Sequence, residues 1–566
     1  MFIGLEAGYE SGSWKWKMML NPTPTSLFSF PNQHSNPNPI FFLTYYMKKD
    51  FKNCYVFVLG RETKIALLEL EQVLRRFDFD FSIITVSGNL AYINISADCP
   101  LPITDLIRSL GGTIKIFKVI GSILADKIAD KVSGQILEEK ANQGGKIKFG
   151  LSNFSNKVSR KDIQDIGIKI KMGLKSDLSI RYIENREGGD LQPIVSAKNK
   201  LDSKGIEFGF FECHPEQSEG SRDSRRVTSV EPRKTSAVPQ NDNEILLAKL
   251  ITVYDPMEWS KRDYGKPESD KYSGMMPPKL ARALINITLG DVSINDQLPM
   301  INQLENDSIN ENCPKGVPSG DKLKIENCAD VVVVDPFCGS GNILIEALSL
   351  GFDVTGSDIS EKAVEDTKAN LGWLLSQNSK SQTLNSCRQG RDLEISASDL
   401  ENIVFQADAT SKDLIDKFSR SKNLSTCEPK NLIIVAEPYL GKPKKEKSKV
   451  EDLKAEITEL KKLYLDFLKN VSKLVCHSVL DTESIQMDSR VKPENDNGVA
   501  PVNPSGLKVI ALVFPLFELE NGDKYSLFSE AVDEIKELGY TPIRTLVYGR
   551  AYQMVKREIV WLEPNK

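Results

Sequence analysis

The fold is decided by the stretch Val331-Val-Val-Val-Asp-Pro-Phe-Cys-Gly-Ser-Gly-Asn342. Four β-branched residues in a row predict a buried strand of a parallel sheet. A turn with Gly339 and Gly341 follows, and an apolar helical pattern then begins at Ile343. This order of strand, glycine turn and helix brings bare backbone up to a ligand beyond the strand ends. The spacing differs from the dinucleotide fingerprint, and no Gly-Lys-Ser/Thr follows, which excludes a nucleoside-triphosphate loop.

The next predicted strand indicates which ligand the turn binds. Phe352–Asp358 is short and apolar, and it ends on a carboxylate about twenty residues after the glycines, where such sheets place the acid that receives ribose hydroxyls. A second acid, Asp335, suits a ligand with an ammonium group near the turn. S-adenosyl-L-methionine combines an adenosine with a cationic amino-acid tail and fits both acids. The alternative is a glycine turn that only packs a helix against a strand.

Three motifs resemble a known family. The segment from Asp335 to Asn342 resembles the first motif of Rossmann-like methyltransferases that modify exocyclic amines of nucleic-acid bases. Arg262-Asp-Tyr-Gly-Lys-Pro267 and Ser273-Gly-Met-Met-Pro-Pro-Lys-Leu-Ala281 resemble the segment before the catalytic domain in THUMP-containing tRNA guanine-N2-methyltransferases. The resemblance covers most of residues 48–566. It implies an α/β class I methyltransferase that modifies N2 of a tRNA guanosine, at position 10 by family analogy alone.

The resemblance also extends the expected cofactor site. In the family, the acid after the third strand, here Asp408, faces the adenine amine, and Ala409 lies beside it. The expected cofactor-binding residues are Asp335, Phe337, Gly339, Ser340, Gly341, Asp358, Ile359, Asp408 and Ala409.

The expected catalytic loop departs from the family pattern. The family usually has Asp or Asn, then Pro-Pro, then Tyr or Phe after the fourth strand, whereas this chain has Ala436-Glu-Pro-Tyr439. The amine of guanine is a poor nucleophile, so the site must supply acceptors for its protons and a platform for the base. We hypothesise that Glu437 is the acceptor, that Pro438 matches the family proline, and that Tyr439 stacks on an extruded base. Alternatively, Glu437 is a loop carboxylate and the chain binds the cofactor without methylating.

A basic cluster, residues 442–449, follows this loop. It is either a solvated helix face or a phosphate contact, and in the second case substrate affinity falls with rising salt.

Composition limits the class of protein. A chain of 566 residues, 40% hydrophobic and 27% charged, has room for three or four globular domains. Nine cysteines without a Cys-x-x-Cys pair favour reduced thiols in a cytoplasm and no zinc site. The three histidines lie outside the expected folded core, so we expect no metal. No apolar run reaches the ~18–20 residues that span a bilayer. The net charge of −5 does not itself support RNA binding.

The order of patterns predicts four regions. Residues 1–47 are aperiodic and are either a disordered extension or a sign that translation begins at Met47. Residues 48–119 follow a β-α-β-β-α-β order that predicts a ferredoxin-like unit. Residues 120–262 resemble a THUMP RNA-binding domain, with Ile194–Ser196 among its strands, although a plain scaffold domain remains open. Residues 263–566 are the expected methyltransferase domain.

Three polar stretches interrupt this order: 212–243, 289–327 and 477–504. Each is too hydrophilic to bury enough surface to order itself. We expect surface loops without a functional role, tolerated because loop entropy grows slowly with length.

Two rival functions stay open. One is methylation of another substrate, ribosomal RNA guanine or DNA adenine. The other is a catalytically silent RNA-binding protein that retains the cofactor fold. The resemblance further implies tRNA as the partner and, as in some relatives, a small activating protein.

Overall fold

The computed structural model describes most of the chain outside several segments. The described residues are 5–10, 13–18, 53–142, 144–185, 188–212, 244–269, 275–290, 331–378, 397–421, 431–476, 507–550 and 552–565.

The elements alternate along the chain as an α/β protein does. The strands are β1 (Leu5–Glu10), β2 (Ser13–Met18), β3 (Cys54–Leu59), β4 (Phe81–Ser87), β5 (Leu90–Ile95), β6 (Thr113–Leu124), β7 (Ile147–Asn153), β8 (Ile180–Ile183), β9 (Ile206–Glu212), β10 (Glu244–Val253), β11 (Val331–Asp335), β12 (Asp353–Asp358), β13 (Val404–Gln406), β14 (Asn431–Ala436), β15 (Leu507–Glu518), β16 (Lys524–Ser526), β17 (Tyr540–Tyr548) and β18 (Val555–Pro564). The helices are α1 (Thr63–Arg76), α2 (Ile103–Ser109), α3 (Ile128–Lys140), α4 (Arg160–Leu174), α5 (Pro193–Lys198), α6 (Pro256–Tyr264), α7 (Pro278–Thr288), α8 (Asn342–Ser349), α9 (Glu361–Asn378), α10 (Leu400–Ile403), α11 (Asp413–Arg420), α12 (Val450–Cys476) and α13 (Leu527–Glu537).

The C-terminal sheet has the strand order β13-β12-β11-β14-β15-β18-β17, with β16 paired to the end of β15. The pairs among β11 to β15 are parallel, and β18 inserts antiparallel between β15 and β17. The order reverses between β11 and β14, which is the switch point where open α/β sheets bind ligands. The Rossmann-like methyltransferase fold expected from the sequence is confirmed.

The four valines of β11 lie in the middle of this sheet, as their run predicts. Val331 and Val333 pack into the core on one face, and Val332 and Val334 pack into the core on the other. A strand covered by helices on both faces needs an uninterrupted apolar sequence, so the run itself is the signature of this position.

The N-terminal sheet runs through both predicted N-terminal domains. Its order is β4-β5-β3-β6-β10-β9-β7-β8, and β4, β5, β3 and β6 come from the predicted β-α-β-β-α-β unit. Strand β6 spans Thr113–Leu124 and pairs with β3 on one side and with β10 on the other. The boundary that we expected after residue 119 therefore falls inside a shared strand, and the two units form one eight-stranded sheet.

One predicted strand is wrong. Ile194–Ser196 lies in the short helix α5, which has Pro193 in its first turn. Proline is favoured there because its fixed φ suits a helix and its missing N–H costs nothing. Three apolar residues cannot distinguish helix from strand by period alone.

The predicted extension and insertions are only partly described. Strands β1 and β2 form an antiparallel hairpin that the aperiodic sequence did not predict. Residues 213–243, 291–330 and 477–506 lie outside the described residues. We assigned Glu212 and Leu289 to insertions, but Glu212 ends β9, and Leu289 is buried directly after α7.

Helix α1 of the N-terminal region packs against α7, which precedes the C-terminal sheet. Ile65 and Leu68 belong to the same core cluster as Leu284. The buried amide of Asn286 donates to Glu69 Oε1 at 2.7 Å, and Arg76 Nη2 donates to Asn286 Oδ1 at 2.9 Å. These bonds satisfy polar groups that would be costly to bury alone.

Across the described part of the chain, no helix combines the length and the apolar character needed to cross a membrane.

Candidate active site

Three loops leave the C-terminal sheet at one edge. Val334 pairs with Ile434, so the loops after β11 and β14 begin side by side, and Asp335 pairs with Gly356 of β12. Because carboxyl ends of parallel strands share an edge, the glycine turn, the acid of β12 and the predicted catalytic loop are neighbours.

The glycine turn is fixed by hydrogen bonds from two other elements. The Gly339 N–H donates to Asp358 Oδ2 at 3.0 Å, and Thr367 Oγ1 donates to the Gly339 carbonyl at 2.7 Å. Asn370 Nδ2 donates to the Ser340 carbonyl at 2.8 Å. Gly339 and Gly341 have φ values of 53° and 82°, a region that side chains disfavour. The expected residues Gly339, Ser340 and Gly341 therefore form a turn whose backbone conformation is fixed.

The segment before the sheet holds the same turn from the other side, which explains the motifs at 262–267 and 275–281. Lys266 is buried, and its ammonium donates to Ser340 Oγ at 3.1 Å and also to Asn342 Oδ1. The Asn342 amide donates to the Met276 carbonyl at 2.7 Å. We did not single out Lys266 for this role from the sequence, although it lies in a quoted motif.

Below the turn, a buried carboxylate joins helix α8 to the same segment. Glu346 is fully buried and accepts ion pairs from Arg262 at 2.8 Å and from Arg282 at 2.7 Å. The guanidinium of Arg262 also lies 4.4 Å from the ring centroid of Trp259. These contacts attach the glycine-turn helix to α6 and α7.

Asp335 is the deepest acid of the site and the best match for a cationic ligand. It is 1% exposed, and its Oδ1 accepts from the Phe337 N–H at 3.1 Å. Burial raises the pKa of Asp335 well above its ordinary value, and the nearby charges of Asp358 and Glu437 raise that pKa further. A positively charged group beside it would oppose both effects. The residues therefore fit S-adenosyl-L-methionine, which carries an ammonium and a sulfonium.

Three more of the expected cofactor-binding residues lie at the same end of the sheet. Asp358 is half-buried and also accepts from the Ser360 N–H at 2.9 Å, while the side chain of Ile359 is 67% exposed. Asp408 is exposed, and its Oδ1 accepts from the N–H and the hydroxyl of Thr410 at 2.8 and 2.7 Å. Two acids and an exposed apolar side chain at this end of the sheet suit an adenosine.

Two further expected residues are tied to helix α12. Ala409 is buried, and its carbonyl accepts from the Asn470 amide at 3.0 Å. Phe337 is half-buried and meets Phe467 edge-on, with ring centroids 5.1 Å apart. These two contacts hold the loops after β11 and β13 against helix α12.

The predicted catalytic loop combines a nearly buried acid with an exposed ring. Glu437 Oε1 accepts from Arg557 Nε at 2.5 Å, with the two side chains only 12% and 10% exposed. Burial raises the pKa of Glu437, and the guanidinium of Arg557 acts in the opposite direction. Pro438 is buried, whereas Tyr439 is 57% exposed. The loop therefore presents an exposed aromatic ring next to a carboxylate that an arginine holds.

Sequence reasoning missed Arg557. It lies on β18, 120 residues after Glu437, and no local pattern relates the two. Only the antiparallel insertion of β18 beside β15 brings it to this edge.

The basic cluster is not a helix face, because α12 begins at Val450. Lys444 pairs with Glu456 of that helix at 2.6 Å, and the Lys442 N–H donates to the same carboxylate. Lys442, Lys445, Lys447 and Lys449 are exposed.

Within the described ranges, no three His, Cys, Asp or Glu side chains are grouped so that they could hold a metal ion.

Comparison with known proteins agrees with this geometry. Residues 326–480 match the family model described as UPF0020, RMKL-like, methyltransferase domain. This part of the chain is therefore similar to a methyltransferase domain. The match contains the glycine turn, the acids that we expect to bind the cofactor and the predicted catalytic loop, but not Lys266 or Arg557.

The chain is also similar to two archaeal proteins that share one name. The chain is 31% identical over 135 residues to a tRNA (guanine(10)-N2)-dimethyltransferase of Methanothermobacter thermautotrophicus, covering 23% of this chain and 27% of the relative. It is 25% identical over 185 residues to the enzyme of that name from Methanocaldococcus jannaschii, covering 30% of this chain and 42% of the relative. These matches support the resemblance to the tRNA guanine-N2-methyltransferase family. The chain aligns to less than half the length of either relative.

Among solved structures, the magnesium protoporphyrin IX methyltransferase of Synechocystis PCC 6803 with bound S-adenosylmethionine aligns at 11% identity and a TM-score of 0.22. The alignment covers 55% of this chain and 91% of that one. Because the identity and the TM-score are this low, the fold is identified by the strand order of the C-terminal sheet and not by this alignment.

Proposed function

We propose that this chain transfers a methyl group from S-adenosyl-L-methionine to the exocyclic N2 of a guanosine in tRNA, at position 10. The observation that carries the proposal is the loop Glu437–Tyr439, which places a held carboxylate and an exposed ring beside the cofactor turn. The names of the two archaeal relatives support the substrate.

The residues divide the work of the reaction. Tyr439 stacks on the extruded guanine and holds its amine toward the glycine turn. Glu437 accepts an N2 proton by hydrogen bonding and takes it up as the N2–CH₃ bond forms, and water removes it afterwards. S-adenosyl-L-methionine, when bound, would supply an activated methyl group and would leave as a neutral thioether. Asp335 and Asp358 would hold its ammonium and its ribose.

The N-terminal sheet would hold the tRNA, as the THUMP resemblance implies. Helix α4 presents exposed Lys161 and Lys171 together with Met172, which is 63% exposed, and exposed Lys175 follows the helix directly. Lysines beside an apolar side chain suit a nucleic-acid backbone. We further propose action in the cytoplasm, in line with free Cys54, Cys99 and Cys338 in the described part of the chain, and a requirement for a small activating protein as in some relatives.

One observation favours a second candidate, a silent RNA-binding protein. The ion pair with Arg557 already occupies one oxygen of Glu437, and Ala436 stands where the family has its acid. If that pair is purely structural, the chain binds the cofactor and RNA without transferring a methyl group.

The test is methyl transfer from labelled S-adenosylmethionine to bulk tRNA, followed by nucleoside analysis. Methylguanosine from the wild-type chain, with Glu437→Ala inactive but still binding the cofactor, supports the proposal. Labelled ribosomal RNA or adenine in DNA would instead identify a different substrate. Cofactor binding without transfer, in the presence and absence of a cell extract that could supply a partner, would favour the silent protein.

A further inference from the structure

We propose that Arg557 is a positioning residue for methyl transfer, and that it holds Glu437 in the orientation in which Oε2 accepts the substrate amine. The inference rests on the proposed function and adds to it a site residue outside the segment that matches the methyltransferase family. It makes the closing hairpin β17–β18 part of the active site.

The contact is close and sheltered. Arg557 Nε donates to Glu437 Oε1 at 2.5 Å, and both side chains are close to nine-tenths buried. An ion pair on the surface contributes little because water and salt screen it, whereas a sheltered pair fixes the geometry of both partners. The rotamer of Glu437 is therefore set by a residue from another strand.

The sheet explains why an arginine is needed there. Arg557 pairs with Pro515 of β15, and β15 lies between β18 and β14, the strand that leads into Glu437. Two strand spacings amount to about 10 Å, a distance that a long side chain and a glutamate can bridge together. The guanidinium also lies 6.0 Å from the ring centroid of Tyr548, its neighbour on β17.

The sequence of the loop makes such support necessary. The acid of this chain stands one residue later than the family position, on a longer side chain with more rotatable bonds. A glutamate that must meet an amine needs a partner to restrict those bonds. Binding through Oε1 supplies that restriction and leaves Oε2 for the substrate.

The charges around Glu437 give the pair a second effect. Burial raises the pKa of Glu437, and Asp335 and Tyr464 lie near enough to interact with its charge. Arg557 is the cation that lowers this pKa. Because a proton acceptor must be ionised, removing Arg557 should move the acid limb of the pH–rate profile to higher pH.

The chain offers a matched control on the same strand. Lys556 pairs with Glu518 of β15 at 2.6 Å, and these side chains are 16% and 13% exposed. Replacing Lys556 breaks an ion pair of similar shelter that does not involve the catalytic loop.

The experiment compares full-length wild type, Arg557→Met, Arg557→Lys and Lys556→Met. It measures methyl transfer to tRNA across pH 5–9, cofactor binding by calorimetry and the melting temperature. Arg557→Met should lose about 100-fold in kcat, the range seen when one preorganised partner is removed, with cofactor Kd nearly unchanged. Arg557→Lys should recover part of the rate and of the pH profile. Lys556→Met should behave as wild type.

Each outcome decides between the claims. Equal rates and pH profiles for Arg557→Met and Lys556→Met in an active enzyme would overturn the inference and leave the proposed function intact. Loss of cofactor binding together with the rate in both Arg557 variants would make the residue structural and also overturn it. A wild-type chain that methylates no tRNA guanosine would refute the proposed function, and this inference with it.

Discussion

The loops after β11 and β14 leave the same edge of one sheet but are held in different ways. The first is fixed through its backbone, by Asp358, Thr367 and Asn370, whose bonds reach glycine and serine backbone atoms. The second is fixed through a side chain, because Arg557 holds Glu437 while Tyr439 remains exposed. In the proposed function, the first loop has to match an invariant cofactor, whereas the second has to admit a base.

The difference shows which departures from a motif a fold tolerates. A turn that presents backbone depends on φ values available to glycine, so its sequence is restricted position by position. A loop that presents a side chain can move its acid by one residue if another element supplies a new partner. Ala436 and Glu437 together with Arg557 are consistent with such a replacement.

The largest effect should come from Gly341→Ala. A Cβ at this residue would lie 2.9 Å from Thr367 Cγ2 and would have to adopt a φ of 82°. Such strain costs about 1–3 kcal/mol, and relieving it would displace the turn. We expect a lower melting temperature and cofactor affinity reduced about 10- to 100-fold, as measured by calorimetry.

Gly441→Ala is the matched change in the other loop. Its φ is 93°, and the new Cβ would meet Glu456 Oε1, the end of a flexible side chain, at 2.5 Å. It should lower stability as well but leave cofactor affinity near wild type. Equal cofactor losses in the two variants would show that the loops are not held differently.

The next effect should come from Tyr439→Ala. Its ring is 57% exposed, and surface substitutions usually change stability little, so stability and cofactor binding should stay unchanged. Base–aromatic stacking contributes about 1–3 kcal/mol, so kcat/KM for tRNA should fall about 10-fold or more. Tyr439→Phe keeps the ring and should retain most of the activity. A phenylalanine variant as poor as the alanine variant would mean that the hydroxyl, and not stacking, matters.

A smaller effect, dependent on pH, should come from Lys266→Met. Burial lowers the pKa of Lys266 from 10.5 to about 8. Between these values the unfolded chain binds more protons than the folded one, so this group adds stability as pH rises from 8 to 10.5 and withholds it below pH 8. Relative to Lys266→Met, the wild type should gain about 1–3 kcal/mol over that interval.

Melting temperatures of both proteins at pH 7.5 and pH 10 give this comparison. Lys261→Met serves as control, since Lys261 is exposed and pairs with Glu258 at 2.8 Å. A wild-type advantage that stays constant with pH would show that the ammonium of Lys266 is not desolvated beside the turn.

The sequence alone predicts the loop after β11 far better than the loop after β14. The valine run, the two glycines and the acid of β12 are local signals, and the structure places all of them as expected. Arg557, Lys266 and the partners of Glu346 depend on contacts between distant elements, which leave no period or spacing. The continuation of strand β6 past residue 119 was missed for the same reason, because its pairing with β10 joins segments that are far apart in the sequence.

The smallest effect, none within error, should come from removing residues 213–243. Glu212 pairs with Ile245 across antiparallel strands β9 and β10, so the ends of this segment already meet and a short turn can join them. Loop entropy changes slowly with length, so replacing the segment with a four-residue Gly-Asn turn should leave the melting temperature and methyl transfer unchanged. A loss of transfer with unchanged stability and cofactor binding would mean that the segment contacts tRNA. In that case tRNA recognition would involve the connection between β9 and β10 as well as the two loops of the C-terminal sheet.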